Sequence, residues 1–228
     1  MSLFAIGDFH LSLNSEKPMD VFGDRWANHT EKLIQGFSEV RDDDTTVICG
    51  DLSWGMSLEE CRDDFAFVDS LPGRKIILKG NHDYYWTTVS KMKRFFSDNG
   101  FDSLEILHNN SFEYGDVSIC GTRGWFEEFP SAETHDRMIV MREACRLRAS
   151  LESAGDREKI VFLHYPPVNG SYRCNEILDL LKEFEVRLCL YGHLHGKSCA
   201  GAFSGWSGGT EFRLVSADYL DFKPVKLL

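Results

Sequence analysis

The sequence has little positive charge: 36 Asp and Glu residues outnumber 25 Lys and Arg residues among its 228 residues, which gives a formal net charge of −11. Binding along a nucleic-acid backbone requires arrays of lysine and arginine. We therefore do not expect nucleic acid as a partner. A phosphate substrate stays compatible with this charge, because cations bound among the acidic residues would reverse the local field.

Paired cysteines and long apolar runs are also lacking. The seven cysteines are odd in number and contain no CxxC pair, which argues against disulfides or a cysteine zinc site and favours a reducing compartment. No apolar run approaches the roughly 20 residues of a membrane span. The first six residues carry no basic region of a signal peptide. We therefore expect a cytoplasmic protein without a membrane span.

The sequence shows no internal repeat, low-complexity tract or linker. Its hydrophobic share of 43% and charged share of 27% are typical of a soluble globular protein. These features predict a single domain over residues 1–228. Residues 124–155 form the longest stretch without a strand pattern, and we expect a helical insertion there.

Short apolar runs alternate along the chain with helical patterns. Several of the runs are nearly continuous, as in strands that are buried on both faces. This alternation predicts an α/β layered fold. The predicted strands are 3–6, 46–49, 75–78, 104–107, 117–120, 160–163, 187–190 and 211–215, and the predicted helices are about 26–37, 58–68, 87–97, 133–153 and 175–184.

Polar residues follow five of the predicted strands at the point where each strand ends. In open α/β sheets, ligands bind at the carboxyl ends of the strands. The five blocks are Gly7-Asp8-Phe9-His10, Gly50-Asp51, Gly80-Asn81-His82-Asp83, His164 and Gly192-His193-Leu194-His195. Carboxylates, imidazoles and one amide are therefore expected to meet at a single edge.

This mixture of side chains indicates a metal site, because Zn, Mn and Fe accept both imidazole and carboxylate ligands. In Asp-x-His and His-x-His the two side chains of an extended segment point the same way, since side chains alternate with a period of two. Taken singly, each block has a simpler interpretation, such as a turn or a helix cap. The coincidence of all five at strand ends favours the metal site.

In this order, the five blocks resemble the signature of the calcineurin-like metallophosphoesterases, over residues 8–195. The resemblance implies a four-layer α/β/β/α sandwich, in which two mixed β-sheets are flanked by helices. It also implies two divalent transition-metal ions, Mn, Fe or Zn. One ion would be held by Asp8, His10, Asp51 and His195, and the other by Asp51, Asn81, His164 and His193, with Asp51 bridging.

The resemblance further implies that His82 is a catalytic residue and not a ligand. His82 would face the phosphoryl or leaving group, with Asp83 orienting its ring and raising its pKa. Two metals can clamp phosphoryl oxygens and lower the pKa of a bound water, so that the resulting hydroxide attacks phosphorus. We therefore expect an enzyme, a dinuclear metal-dependent phosphoesterase.

Departures from relatives narrow the expected substrate. Serine/threonine protein phosphatases of the superfamily carry Asp-Arg-Gly soon after Gly-Asp, whereas Asp51 is followed here by Leu-Ser-Trp-Gly. The DNA-repair nucleases are larger and need a DNA-binding surface. A small-molecule phosphodiester or monoester is therefore expected. The alternatives are a nucleotide pyrophosphatase or nuclease of the same superfamily, and an inactive metal-binding scaffold, against which the complete ligand set and His82 argue.

Three residues beside these blocks are candidates for substrate binding. Trp54 and Tyr84 could stack on a base or another ring, and the guanidinium fork of Arg123 suits phosphate oxygens. Core packing is the alternative for the two aromatic residues, and a salt bridge to a helix is the alternative for Arg123. The glycine- and serine-rich residues 201–209 are predicted to form a loop near the last histidines.

Overall fold

The computed structural model, which describes residues 1–14, 17–126 and 133–228, contains two β-sheets packed face to face. The first sheet has the strand order β13-β1-β2-β3-β4. Four of its strands are parallel, and the short β13 pairs with β1 in the antiparallel sense. The strands are β1 (Leu3–Ile6), β2 (Thr45–Ile48), β3 (Arg74–Ile77), β4 (Leu104–Ile106) and β13 (Val225–Lys226).

The second sheet has the order β11-β12-β10-β7-β6-β5. Its four middle strands are parallel, and its two edge strands are antiparallel to their neighbours. These strands are β5 (Phe112–Tyr114), β6 (Val117–Thr122), β7 (Glu158–Leu163), β10 (Leu188–Tyr191), β11 (Gly205–Ser207) and β12 (Thr210–Leu214). A separate hairpin consists of β8 (Val168–Asn169) and β9 (Tyr172–Arg173).

Helices cover the outer face of each sheet. The first sheet is covered by α1 (His29–Gly36), α2 (Arg62–Ser70) and α3 (Val89–Asn99), and the second by α4 (Glu133–Ser153) and α5 (Asn175–Glu183). Short 3₁₀ helices lie at Met19–Phe22, Asp24–Trp26, Phe37–Glu39 and Gly196–Gly201. Within the described ranges, no helix is both long and apolar enough to cross a bilayer.

The alternation of side chains along the strands produces the layers. In β1, Phe4 and Ile6 pack against the helices of the first sheet, whereas Leu3 and Ala5 pack between the two sheets. Middle strands such as β1, β2 and β6 are buried on both faces, which is why their sequences read as continuous apolar runs. The predicted four-layer α/β/β/α sandwich of two mixed sheets flanked by helices is thus confirmed.

Helix α4 lies in the segment for which we expected an insertion, residues 124–155. Its Leu147 and Leu151 are fully buried in the cluster that also contains Val161 of β7. The helix is therefore one of the two that cover the second sheet. Residues 127–132 of this segment lie outside the described residues, and the single domain over residues 1–228 stays a prediction.

The edge strands β5, β11 and β13 and the hairpin of β8 and β9 are the strands that the sequence patterns did not predict. They contain two or three residues each and carry no apolar run; Trp206 of β11, for example, is 62% exposed. Residues 201–209, expected to be a loop, contain this strand. Such short segments become strands because a neighbouring strand offers backbone groups for hydrogen bonding. The local sequence pattern contains no information about that neighbour.

Lys75 in β3 is fully buried, and its ammonium group is nevertheless hydrogen bonded. Its Nζ donates to the carbonyl oxygens of Asp69 (3.1 Å), Gly73 (2.7 Å) and Leu71. These carbonyls belong to the end of α2 and the turn after it, where the helix dipole favours a cation. Lys75 therefore closes the connection between α2 and β3 from inside.

We expect Lys75→Met to lower the free energy of unfolding by about 2–4 kcal/mol, because three buried carbonyls lose their donor. Urea denaturation measures this loss. Lys159→Met is the matched control: Lys159 Nζ donates to Gly155 O (2.7 Å) and Arg157 O (2.8 Å) before β7, but this lysine is partly exposed. Water can replace the ammonium group of Lys159 as a donor, so we expect Lys159→Met to lower the free energy of unfolding by less than about 1 kcal/mol. Equal losses in the two variants would contradict the role of Lys75.

Candidate metal centre

The carboxyl ends of strands from both sheets meet at one edge of the sandwich. The seven predicted ligands all lie just beyond these ends: Asp8 and His10 after β1, Asp51 after β2, Asn81 after β3, His164 after β7, and His193 and His195 after β10. Strands of the same direction bring their carboxyl ends together, so residues far apart in sequence become neighbours.

The backbone turns sharply at four of these positions. Asp8, His10, Asp51 and His193 have φ values of 62°, 49°, 52° and 72°. A residue other than glycine in this left-handed region costs about 1–3 kcal/mol, and such strain persists only where surrounding contacts hold it. The turns redirect the side chains from the strand direction toward a common centre.

Glycines permit the close approach of the loops. A Cβ atom at Gly80 would collide with the carboxylate of Asp51, and one at Gly192 would collide with the carboxylate of Asp8. Glycine is required at both positions because any side chain would occupy the space of a candidate ligand.

Asp8, His10 and His195 form the first group that could hold a metal ion. The Nε2 atoms of His10 and His195 are 3.2 Å apart, and His195 Nε2 lies 3.6 Å from Asp8 Oδ1. Asp51 Oδ2 lies 3.8 Å from His10 Nε2. The four side chains therefore direct nitrogen and oxygen atoms at one small volume.

Asp51, His164 and His193 form the second group, and Asn81 adds its side-chain oxygen. Asn81 Oδ1 lies 2.6 Å from His164 Nε2 and 3.0 Å from His193 Nδ1. Asp51 Oδ2 is 3.5 Å from His164 Nε2. Since the same oxygen faces His10, Asp51 lies between the two groups.

The spacing of these atoms fits divalent cations. Ligand atoms that each lie about 2.0–2.2 Å from one metal are about 3–3.5 Å from each other. The distances above, from 2.6 to 3.8 Å, span this interval. Each group can therefore accommodate one cation with small adjustments of its side chains.

The electrostatics of the two groups also fit cations. Burial, followed by the charges of Asp83 and Asp8, raises the pKa of Asp51 well above its usual range, because the carboxylates repel each other in a dry environment. Burial lowers the pKa values of His164 and His193 to about 3, so their imidazoles are neutral. Neutral imidazole is the form that binds metals, and a cation would relieve the repulsion between the carboxylates.

Asp218, in the loop after β12, is a site residue that the sequence analysis missed. His195 Nδ1 donates to Asp218 Oδ1 (2.8 Å), and the backbone N–H of Gly196 donates to Asp218 Oδ2 (2.8 Å). Burial lowers the pKa of His195, but the hydrogen bonds to Asp218 and Asp8 outweigh it and raise the pKa to about 10. The sequence feature that could have indicated Asp218 is its position as a polar residue shortly after the predicted strand 211–215.

His82 lies beside both groups without joining either of them. Its backbone N–H donates to Asp51 Oδ1 (2.8 Å), and its half-buried ring is centred 5.7 Å from the ring of His10. The ring Nδ1 lies 3.2 Å from the hydroxyl oxygen of Tyr84. The structure thus brings His82 to the site with Tyr84 as its ring partner.

The prediction that Asp83 orients the ring of His82 is wrong. The buried carboxylate of Asp83 accepts the backbone N–H groups of Gly80 (2.6 Å), Asp51 (2.9 Å) and Leu52 (2.9 Å). It is directed into the loops because their amide groups converge on it, as in other backbone anion sites. The pKa of His82 is lowered, chiefly by burial, and not raised as we expected.

The three candidates for substrate binding differ in their surroundings. Trp54 stacks on His10, with ring centroids 5.0 Å apart at 26°, and lies 4.3 Å from the ring of His82. Tyr84 is half exposed beside His82. Arg123 instead forms a salt bridge with Glu143 of α4 (3.5 Å), which was the alternative interpretation for this residue.

We expect Asp218→Ala to weaken Mn²⁺ binding by about 10- to 100-fold, because His195 loses the carboxylate that fixes its Nδ1–H and leaves Nε2 facing the first group. Isothermal titration calorimetry measures the affinity. Asp218→Asn should lose less, since its amide oxygen can still accept from Nδ1. Asp221→Ala, which removes an 83% exposed carboxylate from the same loop, is the control. Unchanged affinity in Asp218→Ala would contradict this role.

Comparisons with known proteins agree with the architecture. No curated protein matches the chain. Among solved structures, the protein of unknown function AQ665 from Aquifex aeolicus is 16% identical with a TM-score of 0.55, over 99% of this chain and 95% of that chain. The phosphopantetheinyl hydrolase PptH from Mycobacterium tuberculosis is 14% identical with a TM-score of 0.59, over 100% and 95%. TT1561 of Thermus thermophilus is 13% identical with a TM-score of 0.56, over 99% and 97%.

At these identities the solved structures show a shared fold. A family comparison extends further: residues 1–197 match the model of the calcineurin-like phosphoesterases. The match includes all five blocks that the sequence analysis identified at the strand ends. The chain therefore belongs to the calcineurin-like phosphoesterase family.

Proposed function

We propose that the protein is a dinuclear metal-dependent hydrolase of small-molecule phosphate esters. The position of Asp51 carries this proposal: its Oδ2 faces His10 Nε2 at 3.8 Å and His164 Nε2 at 3.5 Å, between the two candidate groups. A carboxylate in this position can bridge two cations. Membership of the phosphoesterase family supports the same conclusion.

In this proposal, the distances between the seven side chains divide them between two metal ions. The neutral oxygen of Asn81 limits the negative charge around the bridge, while two histidines complete the second group. When bound, two divalent cations clamp phosphoryl oxygens and supply an activated water. The first ion is assigned to Asp8, His10, Asp51 and His195, and the second to Asp51, Asn81, His164 and His193.

His82 is proposed to contact the substrate. Its ring adjoins the first group, belongs to neither group and is held by Tyr84. An imidazole N–H in this place can stabilise charge on the phosphoryl oxygens or donate a proton to the leaving oxygen. Asp83 acts in a different way from our expectation, as a positioning residue that fixes the loops around Asp51.

A small organic phosphate ester is the substrate class that we propose. PptH, which shares the fold, is named a phosphopantetheinyl hydrolase, and that name describes a substrate of this general kind. The net charge of −11 disfavours a nucleic-acid polymer as the substrate. A cytoplasmic location stays part of this proposal.

Removal of metal should abolish activity. After treatment with EDTA, the protein should not hydrolyse p-nitrophenyl phosphate or bis(p-nitrophenyl) phosphate, and Mn²⁺ should restore turnover as about two metal equivalents bind per chain. Elemental analysis gives the stoichiometry, and the ratio of the two rates separates a monoesterase from a diesterase. Hydrolysis in the absence of metal would refute the mechanism, and saturation at one equivalent would refute the dinuclear centre.

His82→Ala should keep both metal equivalents and lower kcat by about 10²- to 10³-fold, because the variant loses a donor to the phosphoryl or leaving oxygen. Metal content and steady-state kinetics are measured on the same sample. His108→Ala is the control, since His108 is a half-buried histidine whose ring lies beside Trp86 and outside both metal groups. Loss of metal from His82→Ala would contradict the assigned role.

A further inference from the structure

A pocket of about 440 Å³ opens beside the candidate metal centre. Three of its lining residues, His10, His82 and His195, belong to the centre or adjoin it, so the pocket and the centre are continuous. The other lining residues are Met19, Phe22, Trp26, Trp54 and Gly196. A molecule whose phosphoryl group lies at the centre would therefore extend its organic group into this pocket.

Two tryptophans form firm walls around His10. Trp54 stacks on the His10 ring, and Trp26 meets it edge to face, with centroids 5.7 Å apart at 71°. Trp54 Nε1 donates to Met19 Sδ (3.2 Å), which satisfies the only polar atom of this indole. Arg25, next to Trp26, donates from Nη1 to Asp218 O (2.9 Å) and so ties this segment to the loop after β12. The walls are thus preformed and present apolar surfaces.

The residues that line the pocket, as far as the chain is described, carry no carboxylate, ammonium or guanidinium group; Lys17, whose Nζ lies 5.1 Å from the centroid of the Trp54 ring, is not among them. Outside the three histidines, the lining side chains are methionine, phenylalanine and tryptophan. A charged or hydroxyl-rich group that entered this pocket would lose hydrogen bonds to water and, in the described lining, could replace them only at the histidines, at a cost of about 1–3 kcal/mol for each group left unpaired. The lining therefore favours an uncharged, apolar group.

Phe22 at this pocket supplies a second observation. Its side chain is 67% exposed, and the neighbouring Val21 is 72% exposed, so neither contributes much to the core. Exposed apolar side chains that cluster beside a pocket commonly mark a ligand surface. The pocket volume lies in the lower part of the range of about 300–1,000 Å³ for small-molecule sites.

From these contacts we propose that the protein selects phosphate esters whose organic group is uncharged and apolar, of the size of one aromatic ring or a short alkyl chain. This group contacts Trp54, Trp26 and Phe22 while the phosphoryl group lies at the metal centre. The inference rests on the proposed function and names the substrate class for that site.

Two phosphonates that cannot be hydrolysed test the inference, because they share a head group and differ only in the organic group. Isothermal titration calorimetry on the full-length, Mn²⁺-loaded protein should show that benzylphosphonate binds about 10- to 100-fold more tightly than methylphosphonate, as expected from burial of one ring. Equal affinities would overturn the inference.

Substitutions in the pocket test which residues produce the preference for an apolar organic group. Phe22→Ala and Trp54→Ala should each reduce the benzyl-to-methyl affinity ratio by about three-fold or more. Phe22 is exposed, so its loss should leave the fold intact, which circular dichroism verifies. Trp206→Ala, which removes the 62% exposed tryptophan of β11 from outside the pocket, should keep the wild-type ratio. A ratio unchanged in both pocket variants would overturn the inference.

The outcomes also separate this inference from the proposed function. Metal-dependent hydrolysis of p-nitrophenyl phosphate together with equal phosphonate affinities would overturn the apolar preference and leave the hydrolase standing. A protein that binds neither phosphonate and hydrolyses no phosphate ester would overturn both.

Discussion

The hydrogen bonds from backbone amides to the buried carboxylate of Asp83 are the constraint on which the candidate metal centre depends. Gly80, Asp51 and Leu52 donate to it, so the loop after β2 and the loop after β3 share one acceptor. This contact sets the place of Asp51 between the two groups. The backbone N–H groups of His10 and His82 add hydrogen bonds to Asp51 O (2.9 Å) and Asp51 Oδ1 (2.8 Å).

Further contacts fasten the two sheets to each other at the same edge. Asp8, from the first sheet, accepts the backbone N–H of His193, from the second (3.0 Å). His164 Nδ1 lies 3.0 Å from the carbonyl oxygen of Cys49, to which it can donate a hydrogen bond. With the proton on Nδ1, the unprotonated Nε2 faces Asp51. The side chains that would bind metals therefore also determine how the layers meet, and bound cations would add to the stability of the sandwich.

The fold was largely predictable because the middle strands of its sheets are buried on both faces. The alternation that separates Phe4 and Ile6 from Leu3 and Ala5 is written in consecutive apolar residues, and every predicted strand and helix is present within a few residues of its expected bounds. The edge strands β5, β11 and β13 were not predictable in this way. Their pairing depends on the partner strand and not on their own composition.

The candidate site also contains residues that were predictable from the sequence and residues that were not. The residue types in the five blocks at the strand ends can be recognised from the local sequence. The expected ligands could therefore be named from the sequence, and the structure brings them together. Asp218 approaches His195 from 23 residues away and beyond the part of the chain that the family model matches, residues 1–197. Asp83 stands next to His82 in sequence, but the turn of the backbone directs its carboxylate elsewhere. Long-range contacts and backbone direction are properties of the folded chain, so the local sequence around Asp218 and Asp83 does not identify their partners.

Lys75, which is buried, and Lys159, which is half-buried, lie at the second residues of β3 and β7, whereas the candidate ligands lie beyond the opposite ends of the strands. Strands of four to six residues separate these ends by roughly 13–20 Å. Effects at sites more than about 7–10 Å apart are usually additive. The contacts of these two lysines and the candidate metal centre thus lie at opposite poles of the sandwich, and the amino-terminal pole can be redesigned for stability while the candidate site keeps its geometry.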